Sequence, residues 1–361
     1  MKKIISCLIL LTLVITLFGC KPETITTHFS GEEGVTPPVS AETKLLTIPS
    51  EIENNCFGFV MGAPDEISLI AQIGAAWARP HPGPFAWGFI ETEKNKFNFA
   101  MTDDYVQRAQ ENNVAILGTI WPYAEWDQQI CRDSACEVST KDIFYPEEKM
   151  GWKNGIPLSR CAPCNYEDYQ NFITKLVERY DGDGLNDMPG LKVPLKYWEV
   201  LNEPEMKSAE MTFFKGSQED YVKILQNTFE TIKQVCPNCQ VLHGGAAGTQ
   251  SFMLNYWQKI LEWGGGNYFD IANIHYINSG ETSTLNVADF KNFLKAKGIN
   301  KPLWLTEVEF GSESEIEKSV AGALQAGAKK IFFTQFKVGQ FGLPENGDYS
   351  KAYDLLRGKC S

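Results

Sequence analysis

Two glutamates close apolar runs at widely separated places in the chain. Glu203 ends Tyr197-Trp198-Glu199-Val200-Leu201-Asn202-Glu203-Pro204, and Glu307 ends Pro302-Leu303-Trp304-Leu305-Thr306-Glu307. Runs of this length read as β-strands, and strands of one barrel bring their terminal side chains to a common rim. A pair of carboxylates on such a rim can cut a glycosidic bond, one protonating the leaving oxygen while the other attacks the sugar. Glu203 suits the proton donor, because a carboxylic acid partly removed from water keeps its proton near neutral pH. The amide of Asn202 is placed to hydrogen-bond a sugar hydroxyl.

The elements that must position these groups follow one rhythm. Strand-like runs cover residues 56–61, 75–79, 114–119, 195–201, 240–243, 269–275, 303–307 and 330–335, and helical patterns cover 65–73, 103–112, 166–180, 218–235, 252–263, 288–297 and 313–326. Alternation of this kind over some 300 residues predicts a single (β/α)8 TIM barrel, an α/β fold, spanning 53–361. In the third helix Tyr169, Phe172, Ile173, Leu176, Val177 and Tyr180 recur at intervals of three and four, which marks its core face. A weaker helical pattern, 349–356, ends the barrel. The connection from Trp121 to Cys164 greatly exceeds the usual ~2–6 residues after a barrel strand, and it leaves the end where barrel active sites are built. Its aromatics Trp121, Tyr123, Trp126 and Trp152 either wall a cleft, with Trp121 and Trp126 as substrate contacts, or form the loop's own small core.

Residues 1–19 combine Lys2 and Lys3 with an apolar stretch from Ile4 to Phe18, shorter than the roughly 20 residues of a spanning helix. The segment ends Leu17-Phe18-Gly19-Cys20, which resembles the lipobox of bacterial lipoproteins. Cys20 is then the first mature residue and carries lipid, and Lys21 beside it argues for an outer-membrane or cell-surface location. An ordinary cleaved signal peptide is the other reading, and both place the body outside the cytoplasm. Residues 20–52, rich in Thr, Pro, Glu and Ser, read as a flexible tether. The formal charge of −12 disfavours nucleic acid and anionic surfaces and suits a neutral glycan.

Beyond Cys7 and Cys20, eight cysteines remain, an even number in an exported chain, which favours disulfides. Cys131/Cys136, Cys161/Cys164 and Cys236/Cys239 read as local staples. A closed barrel places its last helix against its first strand, so Cys56 is expected to pair with Cys360. The alternative for the first four is a zinc site of four thiolates, which an oxidising compartment disfavours. The acidic stretch 181–187 has oxygen ligands at alternate positions but no closing bidentate glutamate, so it reads as a structural turn with calcium as the alternative.

Taken in order along the barrel, Arg79, Asn202-Glu203-Pro204, His275-Tyr276 and Thr306-Glu307 resemble clan A of the glycoside hydrolases. Trp77-Ala78-Arg79, Phe85 to Glu91 and Ile116 to Thr119 look most like family 39 and related families. The resemblance implies Glu203 as acid/base and Glu307 as nucleophile, with Arg79 and Tyr276 hydrogen-bonding the nucleophile and His275 lining the cleft. Glu309 competes with Glu307, since it alternates onto the same strand face and precedes Phe310-Gly311, a pairing found after the nucleophile in relatives. Glu307 is preferred because it stands five residues beyond Pro302, where such strands end. One departure is strand eight, Phe332-Phe333-Thr334-Gln335-Phe336, where many members supply a tryptophan platform.

The sequence thus predicts a retaining hydrolase of a β-linked poly- or oligosaccharide, endo-acting, monomeric and without cofactor. The competing reading is a surface glycan-binding lipoprotein that keeps the barrel without turnover.

Overall fold

The computed structural model describes residues 45–61, 64–143, 156–277, 279–309 and 313–334, all within one compact unit. Cys20 and its signal-like segment, Trp152, the 349–356 pattern and Cys360 lie outside the described residues.

Eight strands form one parallel sheet: β1 (Phe57–Met61), β2 (Trp77–Pro80), β3 (Ala115–Ile120), β4 (Tyr197–Val200), β5 (Gln240–His243), β6 (Ala272–Ile277), β7 (Leu303–Glu309) and β8 (Ala328–Phe333). The pairing runs β5-β4-β3-β2-β1-β8-β7-β6, and the isolated bridges Leu242 to Ile271 and Ala246 to Ile274 draw β5 and β6 together. Where that seam is wide, His243 takes over from the backbone: its Nε2 accepts from the Asn273 amide at 2.9 Å, so the proton sits on Nδ1, 2.8 Å from the Gly244 carbonyl. The result is a nearly closed (β/α)8 barrel.

Helices follow the strands in turn: α1 (Ile67–Gln72), α2 (Ala100–Glu111), α3 (Tyr166–Glu178), α4 (Gln218–Val235), α5 (Ser251–Glu262), α6 (Val287–Ala296) and α7 (Glu313–Ala326). Their starts are written locally. The Asn165 side chain accepts the amides of Glu167 and Asp168 at α3, and Ser217 with Asp220 forms a reciprocal capping box at α4. The strands are covered on both faces, which is why their sequences are mostly apolar. Phe57, Phe59, Ile116, Trp198, Val241, Ile274 and Leu305 face the helices. Val60, Trp77, Leu117, Leu242, Trp304 and Phe332 fill the barrel's interior.

Residues 45–52, expected to end a flexible tether, are folded. Leu46 donates its amide to Gly182, and the helical turn Ser50–Glu53 buries Ile52, whose carbonyl accepts the Trp77 indole N–H at 2.9 Å. Ile52 closes the interior core from the N-terminal end, and the Lys330 amine fixes the turn by donating to the Glu53 and Asn55 carbonyls. A single plugging isoleucine leaves no periodic trace in a polar segment, so composition gave the wrong boundary.

The staples between residues 131 and 164 also differ from expectation. The disulfides are Cys131–Cys164 and Cys136–Cys161, nested rather than local, while Cys236–Cys239 is local. Glu137 pairs antiparallel with Ser159, Val138 donates to Leu158 and Arg160 donates to Cys136. Two antiparallel arms set each cysteine opposite its counterpart on the other arm, and both disulfides follow from that register. Because the four thiols are consumed in these bonds, the four-thiolate zinc reading does not hold. Cys56 is disulfide-bonded. In the acidic stretch, the carboxylates of Asp181, Asp183 and Asp187 accept the amides of Gly182, Asp183, Gly184 and Leu185, the work of a turn.

Candidate active site

The C-terminal rim of the barrel carries a polar layer above the apolar interior. At its centre is Glu199 on β4, fully buried. Its Oε2 accepts from Arg79 Nε (2.7 Å) and Thr119 Oγ1 (2.7 Å), and its Oε1 from Asn273 Nδ2 (2.5 Å) and Thr306 Oγ1 (2.8 Å). Burial pushes this carboxyl up, but the charges of Arg79 and His275 and the hydrogen bonds of Arg79 and Thr119 together hold it below its ordinary range. Arg79 is equally buried and divides its guanidinium three ways: Nε to Glu199, Nη1 to Glu307 Oε2 (2.9 Å) and Nη2 to Asn202 Oδ1 (2.6 Å). A planar fork with separated donors suits three separately placed acceptors.

Glu307 reaches this layer through a bulge. Against β6 the register steps from Leu305 opposite Ile274 to Glu307 opposite His275, and against β8 from Leu305 opposite Ile331 to Val308 opposite Phe333. The extra residue lets the consecutive side chains of Thr306 and Glu307 both meet the rim network, which simple alternation forbids. Glu307 keeps 18% of its side chain exposed, against 5% or less for its neighbours Arg79, His275 and Glu203. Burial raises its pKa, opposed by His275 and Arg79 and assisted by Glu203.

Glu203 stands in a tight turn after β4, with φ of 69° at Leu201 and 36° at Glu203. Such left-handed conformations cost on the order of 1–3 kcal/mol for residues with a side chain. The turn is held by Leu201 donating to the Ile120 carbonyl (2.9 Å) and by the Arg79 to Asn202 bond. Glu203 is buried, and burial lifts its pKa to about 8, with Arg79 opposing and Glu199 assisting.

His275 links the two glutamates. Its Nδ1 lies 2.7 Å from Glu203 Oε1 and 3.8 Å from Glu307 Oε2, and its Nε2 lies 2.9 Å from Thr306 Oγ1. Burial drives the imidazole down to about 4, so it is neutral at pH 7. One proton arrangement satisfies both ring nitrogens: Glu203 donates its carboxyl proton to Nδ1, Nε2–H donates to Thr306, and the threonine hydroxyl donates to Glu199 or Asn273. Gly245 makes room for the ring, since a Cβ there would lie 1.9 Å from His275 Nε2.

One atom each from Glu203, His275 and Glu307 lies within 4.8 Å of the others. That spacing would also suit a cation, but Arg79 already supplies the positive charge at Glu307 and opposes one there. The chemistry on offer is a protonated acid beside a carboxylate held by a guanidinium, with the carboxylate the more exposed of the two.

The remaining candidates fall differently. The Tyr276 hydroxyl bonds Thr282 Oγ1 (2.9 Å) rather than Glu307. His275 is fully buried behind the glutamates and does not line the cleft. Asn202 commits its oxygen to Arg79. Trp121 is buried against His81, Tyr123 and Phe213, so it offers no stacking face, and its indole N–H has no partner among the described residues. Trp126 packs on Trp87 and donates to the Glu91 carbonyl. The side chain of Glu309, at the end of β7, makes no hydrogen bond or ion pair among the described residues.

The long connection supports the site from behind. Tyr123 donates to the Phe213 carbonyl (2.6 Å), and the buried Arg160 to Asp142 pair (3.1 Å) takes up the Thr212 carbonyl and amide. These bonds brace the loop that follows Glu203. Sequence reasoning gave no role to Glu199, Thr119, Asn273 or Gly245. A charged residue inside the Tyr197 to Leu201 run, on the inward face two residues from Tyr197, was the available signal for Glu199.

No protein-family model matches this chain, and no curated protein sequence matches it. Solved structures match in fold. A glucosidase from Croceicoccus marinus aligns with a TM-score of 0.58 at 14% identity, over 84% of this chain and 68% of its own. A family 39 glycoside hydrolase from Bacteroides cellulosilyticus gives 0.54 at 15%, over 86% and 64%. Xylanase 10B from Thermotoga petrophila, solved with xylobiose, gives 0.53 at 15%, over 89% and 100%. At such identities the likeness is one of fold, the barrel that these glycoside hydrolases share.

Proposed function

We propose that the protein is a retaining glycoside hydrolase of the clan A type, acting on a β-linked poly- or oligosaccharide. The carrying observation is the approach of Glu203 and Glu307 to within 4.8 Å beside Arg79 on the barrel rim. Retaining enzymes separate their carboxyl groups by about 5–5.5 Å, whereas inverting ones leave about 6.5–9.5 Å for a water molecule. An oxygen-to-oxygen approach within 4.8 Å is compatible with the shorter separation, and the retaining reading is adopted together with the position of Arg79 on Glu307.

In the first step Glu307 Oε2 or Oε1 attacks the anomeric carbon as the bond to the leaving oxygen breaks, and that oxygen takes the Glu203 proton. Loss of this proton leaves Glu203 a carboxylate. In the second step it removes a proton from water, whose oxygen displaces Glu307 and restores both groups. Arg79 holds Glu307 ionised and fixed in direction, and the His275 contact keeps the Glu203 proton in place until substrate arrives. Fixing both reactants before encounter is where such a site gains its rate.

An open, endo-acting cleft and attachment outside the cytoplasm through lipid on Cys20 complete the proposal. Turnover of xylan, mannan, glucan and galactan by wild type, Glu203→Ala and Glu307→Gln tests the reaction. Cleavage that survives either substitution, or glycan binding with no cleavage by wild type, rejects it. Mass analysis of the mature N-terminal peptide tests the lipid.

A further inference from the structure

Two residues beyond Glu203, a second acid is buried on the same loop. Glu205 Oε1 accepts the Ala247 amide (2.7 Å) and the Trp257 indole N–H (3.1 Å), which ties it to the loop after β5 and to α5. Its Oε2 is buried and has no hydrogen-bond partner among the described residues. The same holds for the hydroxyl of Tyr256, the residue before Trp257, and for Gln250 Oε1 at the start of α5. Glu205 and Tyr256 are each only 7% exposed. Buried polar atoms are nearly always paired, so the free Glu205 oxygen and the free Tyr256 hydroxyl, two residues and one helix from the candidate acid, mark a place made for polar groups from outside the chain.

Glu205 can donate there. Burial, then the charge of Glu203, lifts its carboxyl to about 8, and Oε1 is filled by two N–H groups, so the proton resides on Oε2. After burial, the charge of Glu205 is the largest influence on the Tyr256 phenol, which places the two within electrostatic reach. The sugar unit attacked by Glu307 lies over that residue, and the departing unit lies against Glu203. Groups on the Glu203 loop therefore meet the departing unit.

We propose that Glu205 Oε2 and the Tyr256 hydroxyl form a subsite that binds hydroxyl groups of the sugar unit on the leaving-group side of the cleft. This rests on the hydrolase reading and makes it more specific: the leaving group is itself a sugar, not an apolar alcohol. A lone carboxylic O–H and a phenol suit neutral hydroxyls, and neither compensates an anionic substituent.

The test compares β-linked tetrasaccharides of xylose, mannose, glucose and galactose with the matching 4-nitrophenyl β-glycosides, whose leaving group presents no hydroxyls. Glu205→Met and Tyr256→Phe are each expected to lower kcat/KM on the cleaved tetrasaccharide about tenfold, with the aryl glycoside changed less than about twofold. Glu205→Gln, which keeps an N–H at the same place, is expected to recover most of the loss. Equal losses on both substrates, or no loss on either, overturn the proposal; the second result means that these atoms are met by structural water. Calorimetric binding of the tetrasaccharides in a Glu307→Gln background separates the two ideas. Wild type that binds but does not cleave refutes the hydrolase while the affinity of Glu205→Met still decides the subsite, and binding of none of the four overturns the subsite.

Discussion

Replacing Glu203 by glutamine isolates the energy stored in the candidate acid. The amide can still donate to His275 Nδ1, now 2.7 Å away, so the contact survives while the titration disappears. Glu203 titrates at about 8 in the fold and at an ordinary 4.5 when exposed. That gap corresponds to at most about 5 kcal/mol, comparable with the whole stability of many domains. The sign follows from where the proton is held. Below about pH 4.5 both folded and unfolded chains are protonated, and the residue is neutral to stability. Between about 4.5 and 8 the unfolded chain ionises while the fold keeps its proton, so wild-type stability falls as pH rises, and above about 8 the full penalty is present. Urea unfolding of the oxidised protein across this range should show Glu203→Gln and wild type alike near pH 4. By about pH 8.5 the variant should be more stable by several kcal/mol. Parallel curves would mean that Glu203 is not a buried, proton-holding acid.

Further outcomes follow from the same network. Arg79→Lys keeps the charge but cannot hold Glu199, Glu307 and Asn202 together, and should lower kcat/KM by about 100-fold or more in steady-state kinetics. Arg79→Met leaves Glu199 buried without its cation and should cost about 3–5 kcal/mol in chemical denaturation. Gly245→Ala forces a methyl against His275 and should abolish most turnover, and a crystal structure should show the ring displaced from Glu203. The pH dependence of kcat/KM should lose activity on the alkaline side near 8 as Glu203 ionises. The acid limb should lie above the ordinary carboxyl range, because Glu307 must be ionised and its pKa is raised.

The barrel was legible because strands buried on both faces write long apolar runs, and the helices between them write a repeat of three and four. Glu203 and Glu307 were legible because charged residues at strand ends break those runs, and Arg79 through the resemblance to clan A. The β7 bulge was not, since an inserted residue changes register without changing composition; read by alternation alone, Glu309 looks equivalent to Glu307. Tyr276 follows His275 in sequence, yet its partner Thr282 sits in a loop whose course is set by tertiary packing. The cysteine pairing failed for a related reason: spacing in sequence suggested local staples, but the antiparallel arms carrying Glu137 and Ser159 decided which sulfurs meet. Of the tryptophans in the long connection, Trp126, packed on Trp87 and bonded to Glu91, belongs to the core.

The central claim is that Glu307 forms a covalent bond to the sugar while Glu203 moves the proton. Incubation with 2-deoxy-2-fluoro glycosides bearing a good leaving group, followed by protease digestion and mass mapping, tests it most directly. A glycosyl ester on the peptide bearing Glu307, located to that residue by fragmentation, is the predicted result. An ester on Glu309 or another residue, or hydrolysis of these reagents with inversion and no trapped ester, would contradict it.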